Sequence, residues 1–417
     1  MSSDQSPRFT RRSAVVGAGA AGLAFGAGGY LVGRESVEEA SGATGSVPFF
    51  GAHQAGIATA AQDRLHFASF DLTTDRRADV RDLLRAWSEA ASRATRGELI
   101  GDDNRERLAP PDDTGETVGL DPSRLTITFG LGPTLFERGG EDRFGLLSDK
   151  PKALEDLPPL PGDELDPRLS GGDLCVQACA NDPQLVFHAV RNLARIARGV
   201  AVMRWSQLGF GRTSSTTRDQ ETPRNLMGFK DGTRNIRAED HEDMDRFVWL
   251  GAEDDPAWMR GGTYMVTRRI RMLLEIWDRS SLGDQEGTIG RRKYTGAPLG
   301  GDDEFEPLDL EARRNRHPVI PADAHVRLAS PEVNGGERIL RRGYSFTDGV
   351  VEQLGELDAG LFFICFQRDP HRQFVAIQRR LGRGDALGEY IRHVGSAVFA
   401  VPPGARPGGY VGESLLG

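Results

Sequence analysis

Twice in this chain an apolar run ends at Asp-Pro and passes directly into an amphipathic stretch. Leu174-Cys175-Val176-Gln177-Ala178-Cys179-Ala180-Asn181-Asp182-Pro183 precedes a predicted helix over 184–198, and Leu361-Phe362-Phe363-Ile364-Cys365-Phe366-Gln367-Arg368-Asp369-Pro370 precedes one over 371–381. Aspartate suits the N-cap because its carboxylate accepts an early, otherwise unpaired N–H. Proline suits the first helical position because it has no N–H to waste. The two copies superimpose at an offset of 187 residues, which also places Phe187 on Phe374 and Val190 on Ile377. A strand–helix unit repeated at this distance predicts two similar α+β halves. The polar Thr/Ser/Arg stretch 212–224 is the expected seam.

Other elements agree with that plan. Leu125, Ile127 and Phe129 alternate on a candidate strand over 124–129, and another is expected over 66–72. Val80, Leu83, Leu84, Trp87 and Ala91 form one stripe of a predicted helix over 78–91. In the second half a strand over 263–272 is followed by a predicted helix over 273–282. With 417 residues the chain has room for two or three domains. Its net charge of -9 argues against a nucleic-acid partner. Cys175 and Cys179, four apart on a strand, sit roughly 13 Å apart, too far for a disulfide, and read as core residues.

The first residues form a leader. Thr10-Arg11-Arg12 is followed by a weakly apolar, glycine-rich run over 13–33 and then an acidic small-residue stretch, the order of a secretory signal; the paired arginines suggest the twin-arginine route and a periplasmic or extracellular destination. Within that run Gly17-Ala18-Gly19-Ala20-Ala21-Gly22 fits a dinucleotide fingerprint, but the residues before it are too few for the buried strand such a site needs. The resulting division is a leader over 1–45, an N-terminal half over 46–223 and a C-terminal half over 224–417.

Three segments carry candidate chemistry. Asn225-Leu226-Met227-Gly228-Phe229-Lys230-Asp231-Gly232-Thr233-Arg234-Asn235 brackets an aspartate with glycines, so the backbone there can turn tightly against a ligand. Its plain structural reading is an Asp-Gly turn. His325 precedes a short alternating run, Val326 to Leu328, in a chain with only eight histidines, and by itself reads as structural or exposed. Arg338-Ile339-Leu340-Arg341-Arg342 reads by itself as a solvated strand edge. Trp258, Trp277 and Tyr344 read as core aromatics, with passing electrons inward from the surface as their other use.

Together these segments resemble dye-decolorizing peroxidases, haem enzymes of bacteria and fungi. The string Gly228-Phe229-Lys230-Asp231-Gly232 matches the G-x-x-D-G motif of that family, and the likeness runs from Val47 almost to the C-terminus. It takes in Val47-Pro48-Phe49-Phe50-Gly51-Ala52-His53-Gln54, Gly290-Arg291, Thr295-Gly296-Ala297-Pro298-Leu299-Gly300 and Leu340-Arg341-Arg342-Gly343-Tyr344-Ser345. The exported branch, which includes the deferrochelatase/peroxidase of bacterial iron uptake, is the most similar.

The resemblance implies an α+β fold of tandem ferredoxin-like domains, of the dimeric α+β barrel type, with one haem b in the second. It implies His325 as the iron ligand, and Asp231 and Arg341 as the catalytic pair on the distal face. Gly232, Thr233 and Arg234 would touch the haem after the motif, and Ser330, Pro331 and Glu332 after the ligand. The last three depart from the Asn-Pro-Arg common among relatives, and a glutamate cannot replace a cationic partner. The implied reaction uses hydrogen peroxide to oxidise dyes or phenolic compounds by one-electron steps through an oxyferryl intermediate. The alternative is haem handling in iron acquisition, with partners of iron uptake and secondary peroxidase activity. No motif bears on the oligomeric state.

Overall fold

The computed structural model describes residues 45–102 and 106–417. The leader reading and the Gly17–Gly22 fingerprint lie outside the described residues.

Eleven strands organise the described residues: β1 (Arg64–Leu72), β2 (Thr126–Leu131), β3 (Leu174–Ala180), β4 (Ala201–Arg212), β5 (Thr263–Met272), the two-residue β6 (Arg313–Arg314) and β7 (His317–Pro318), β8 (Leu340–Arg341), β9 (Tyr344–Val351), β10 (Glu356–Gln367) and β11 (Ile391–Val401). The main sheet runs β5-β11-β2-β3-β1-β4-β9-β10-β8, and an added β5–β10 pairing closes it into a barrel. In the first half the spatial order is β4-β1-β3-β2, and in the second it is β11-β5-β10-β9. Both halves therefore place their fourth strand beside their first and their third between first and second, the βαββαβ ferredoxin-like arrangement. The halves join where β4 meets β9, through Phe210↔Ser345 and Arg212↔Tyr344, and where β11 meets β2, through Ala400↔Leu131.

The repeated Asp-Pro units sit where expected. Asp182 accepts from the Gln184 N–H at 2.7 Å and caps the helix Pro183–Ile196. Asp369 accepts from His371 and Arg372 N–H at 2.8 and 3.0 Å, ahead of a wide turn, His371–Val375, that runs into the helix Ala376–Gly384. The first half's other helix, Arg77–Ala94, buries Trp87, whose ring stacks on Phe129 with centroids 5.4 Å apart.

The second half differs at the matching place. Instead of one helix over 273–282 there are two short ones, Leu274–Trp277 and Leu282–Ile289. The first ends at Trp277, and Ser281, whose hydroxyl accepts from Asp284 N–H at 3.1 Å, caps the start of the second. A long excursion then runs to β8 before the sheet resumes.

Inside the barrel Phe67 meets Phe362 and Phe399, with centroids 5.3 and 6.1 Å apart, so the two halves share one aromatic core. Cys175, Cys179 and Cys365 are buried free thiols. Trp258, Trp277 and Tyr344 are buried as well, in keeping with their core reading. Among the described residues no helix is long and apolar enough to cross a membrane.

Two buried histidines couple this fold to pH. Burial pulls the imidazole pKa of His66 down to about 4, against a backbone hydrogen bond that raises it, and burial with the Arg268 charge pulls that of His393 down to about 3. Below the ordinary value of 6.5, the unfolded chain binds protons that the folded chain refuses, so stability falls as pH falls. Each histidine contributes about 1.4 kcal/mol per pH unit of this loss until its folded pKa is reached. Thermal melts from pH 7 to pH 5 should show a falling Tm, with a shallower fall in His66→Phe. A slope unchanged by that substitution would refute the contribution of His66.

Candidate active site

The Asn225–Asn235 segment folds back on itself through the Arg224↔Lys230 bridge and the Asn225 N–H to Phe229 carbonyl bond of 3.0 Å. Gly228 and Gly232 have φ of +85° and +88°, left-handed values that a side chain rarely tolerates. A Cβ on Gly232 would also lie 3.0 Å from the Ser214 backbone. Phe229 and Met227 anchor the segment in a small core with Trp277, whose indole N–H donates to the Met227 carbonyl at 3.1 Å. Anchored on both sides, the loop has one place to present Asp231.

Arg341 arrives on β8, paired to β10 through Arg341↔Cys365. Its Nη1 donates to Asp231 Oδ1 at 2.6 Å. Asn235 clamps the backbone of Arg341 at both groups, accepting from its N–H and donating to its carbonyl, each at 2.8 Å. Asn225 Nδ2 donates to the other oxygen of Asp231 at 3.2 Å. Two amides therefore fix the pair, one holding the carboxylate and one holding the strand residue.

His325 begins a five-residue helix, His325–Ala329, and the alternating run expected after it is helical. The Arg327 and Leu328 N–H groups both reach the Ala324 carbonyl, at 3.1 Å each, and the turn ends before Pro331. Five residues are too few for a helical period to show in sequence. His325 Nδ1 lies 2.6 Å from Asp385 Oδ2, while Asp385 Oδ1 accepts from the Leu387 N–H at 2.9 Å. A carboxylate accepts only, so Nδ1 carries the hydrogen and Nε2 is left as the open acceptor. Nε2 has no hydrogen-bond partner among the described residues. Burial disfavours the charged imidazole, but the Asp385 carboxylate and its hydrogen bond outweigh that, with Asp231 adding, and the pKa of His325 is raised.

Asp231, Gly232, Thr233, Arg234, His325, Ser330, Pro331 and Arg341 line one cavity of about 540 Å³, whose apolar wall includes Met272, Phe363, Ile377 and Leu381. Glu332 is not part of that lining. It pairs with Arg234 at 2.7 Å, and the Arg234 hydrogen bond holds its carboxyl below the usual carboxylate range. Thr233 donates to Glu304 at 3.0 Å, and the Ser330 hydroxyl donates to the Arg327 carbonyl at 2.9 Å. A second, more open hollow of about 670 Å³, between the helix Pro183–Ile196 and β4, holds none of the predicted site residues.

Sequence reasoning missed Asp385, Asn225, Asn235 and Glu304. Asp385, Asn235 and Glu304 act on residues remote in sequence; Asn225 and Asn235 lie in the segment that carried candidate chemistry without showing which groups they hold.

The cavity suits a flat, largely apolar cofactor with a metal centre. Its volume falls within the range of cofactor pockets, one part of its wall is apolar and another carries charged groups, and one imidazole is fixed by a carboxylate so that its other nitrogen is free to ligate. That arrangement yields a prediction. Replacing Asp385 with Asn removes the charge that outweighs burial, so the His325 pKa should fall below its wild-type value. Histidine ring-proton titration by NMR of the haem-free protein reads this directly; an unmoved His325 titration would refute the role of Asp385.

Comparisons with known proteins cover nearly all of the described chain. The family model for the N-terminal part of Dyp-type peroxidases matches residues 54–211, and that for the C-terminal part matches residues 222–406. A dye-decolorizing peroxidase of Thermobifida fusca is 43% identical over 378 residues, covering 88% of this chain and 84% of the relative. A deferrochelatase of Escherichia coli K12 is 38% identical over 375 residues, covering 88% and 87%. Among solved structures, ferric DtpA from Streptomyces lividans superimposes with a TM-score of 0.81 at 44% identity, covering 89% of this chain and 97% of that one. A DyP-type peroxidase from Streptomyces coelicolor gives 0.82 at 44% identity, covering 89% and 97%.

Proposed function

The chain belongs to the Dyp-type peroxidase family and is a haem peroxidase, and from that premise we propose that His325, Asp231 and Arg341 carry its chemistry. Bound haem supplies the redox iron at which peroxide is cleaved and through which the reductant gives up electrons.

In this reading His325 holds the iron through Nε2. Asp385 fixes the ring by accepting from Nδ1–H, which leaves the Nε2 lone pair of the neutral ring to ligate and raises its basicity as a ligand. Asp231 accepts a proton from the inner oxygen of hydrogen peroxide and returns it to the outer oxygen, which departs as water. Its Oδ1 accepts from the Arg341 guanidinium at 2.6 Å and its Oδ2 from the longer Asn225 amide bond of 3.2 Å, so Oδ2 is the less tightly held oxygen. Arg341 stays charged throughout and stabilises negative charge that grows on the separating oxygens. Asn225 and Asn235 are positioning residues that keep the carboxylate and the guanidinium in register. Two one-electron donors, dyes or phenols, complete each turnover.

The observation that carries this reading is the convergence on one cavity of a carboxylate-oriented imidazole and an Asp–Arg pair. His325→Ala is expected to lose the Soret band of the wild-type ferric protein. Asp231→Asn and Arg341→Leu should keep haem but lower kcat/KM for peroxide by about 10²–10³-fold. Full activity in both would overturn the assignment.

A second reading, haem handling for iron acquisition, is supported by the likeness to the deferrochelatase. It expects iron-free porphyrin to appear when the loaded protein is reduced without peroxide, and its absence would count against that reading.

We also propose export by the twin-arginine route, which Arg11-Arg12 and the weakly apolar run after them support. Replacing both arginines with lysine should leave the folded, haem-loaded protein in the cytoplasmic fraction; unchanged export would overturn the route.

A further inference from the structure

Charge balance around the cavity leaves one residue over. Lys230 pairs with Glu304, Arg234 with Glu332, Arg268 with Asp163, Arg338 with Asp243, Arg341 with Asp231 and Arg392 with Glu164. Arg291 lines the same cavity, is 4% exposed, and forms no salt bridge with any described residue. Its Nη1 donates to the Gly296 and Glu304 carbonyls at 2.7 and 2.9 Å. Its Nε and Nη2 have no hydrogen-bond partner among the described residues.

Carbonyl oxygens satisfy N–H groups without neutralising the charge. Burial and the nearby Arg234 both work against that charge, Glu304 offsets them in part, and Arg341 adds to the repulsion, so the guanidinium pKa is lowered. Arginine nonetheless stays protonated in proteins, and an uncompensated buried cation is costly. A planar guanidinium with two free donors matches a carboxylate.

We propose that Arg291 is a carboxylate receptor in the wall of the cavity, and that the carboxylate it takes is a propionate of the bound haem. The inference rests on the haem reading of the cavity. A free organic carboxylate has the same chemistry, and the experiment separates the two sources.

The full-length protein, prepared without haem, is titrated with haem and with haem dimethyl ester, whose carboxylates are both blocked, while Soret absorbance is followed. The wild type should prefer haem over the diester, and Arg291→Gln should reduce that preference roughly tenfold. Arg291→Lys should restore part of it. Because Arg291 also anchors two backbone carbonyls, the readout is the ratio between the two haems within each variant, which a general loosening of the fold does not change. An unchanged ratio in Arg291→Gln overturns the proposal. Calorimetric binding of benzoate to the haem-loaded wild type, abolished in Arg291→Gln, overturns the propionate source. Failure of the wild type to bind either haem sinks the cofactor reading together with this inference.

Discussion

The architecture depends on a reciprocal strand exchange between the two halves. Each half lends its fourth strand to the edge of the other's second, β4 to β9 and β11 to β2, and the open edges of two small sheets disappear into one barrel. The seams are short, one and two residue pairs, so they do not hold the halves together alone. The shared interior does, where Phe67 from β1 meets Phe362 from β10 and Phe399 from β11. Side chains alternate along a strand, so with Phe362 and Ile364 turned inward, Leu361 and Phe363 face out. That outward face is the wall of the cavity.

The location of the cavity follows from where the repeat is broken. In the first half the outer face of the sheet is covered by the helices Arg77–Ala94 and Pro183–Ile196. In the second half only the later helix, Ala376–Gly384, has its counterpart. The earlier one is represented by the short helices Leu274–Trp277 and Leu282–Ile289, and a long excursion to β8 follows them. The same excursion delivers His325, and the loop ahead of β5 delivers Asp231. The hollow thus lies where a covering helix has been exchanged for a long connection, and its polar groups come from that connection and from the loop ahead of β5.

How much of this could be read beforehand depended on the range of the interactions. Asp182-Pro183 and Asp369-Pro370 were legible because capping is settled within three residues. The stripe from Val80 to Ala91 was legible because a helix of that length shows its period. The end of the predicted 273–282 helix at Trp277 and the new start at Leu282 were not, since a serine such as Ser281 caps or merely decorates a helix according to what surrounds it. Asp231, His325 and Arg341 each looked ordinary, and only the family likeness singled them out. Asp385 lies 60 residues from the histidine it orients, and a contact over that span leaves no pattern in a single chain. The role of Asn235 is also hidden, because it acts on the backbone of Arg341 and any residue type could occupy the strand it clamps.

The glutamate at position 332 stands where the family resemblance leads one to expect a cation, and the structure shows what it does to the charges nearby. A cation there would have added to Arg234. Glu332 instead holds Arg234 in a bidentate pair at 2.7 and 3.1 Å, and the neighbouring Lys230 is taken up by Glu304. Neutralising those two side chains withdraws positive charge from the part of the wall that follows the Asp231 loop. Arg291 keeps its charge because the oxygens it touches are carbonyls, which carry dipoles but no net charge. Among the described residues, an anion entering this cavity therefore meets paired cations and a single unpaired guanidinium, a preference set by the difference between a carbonyl and a carboxylate as hydrogen-bond partners.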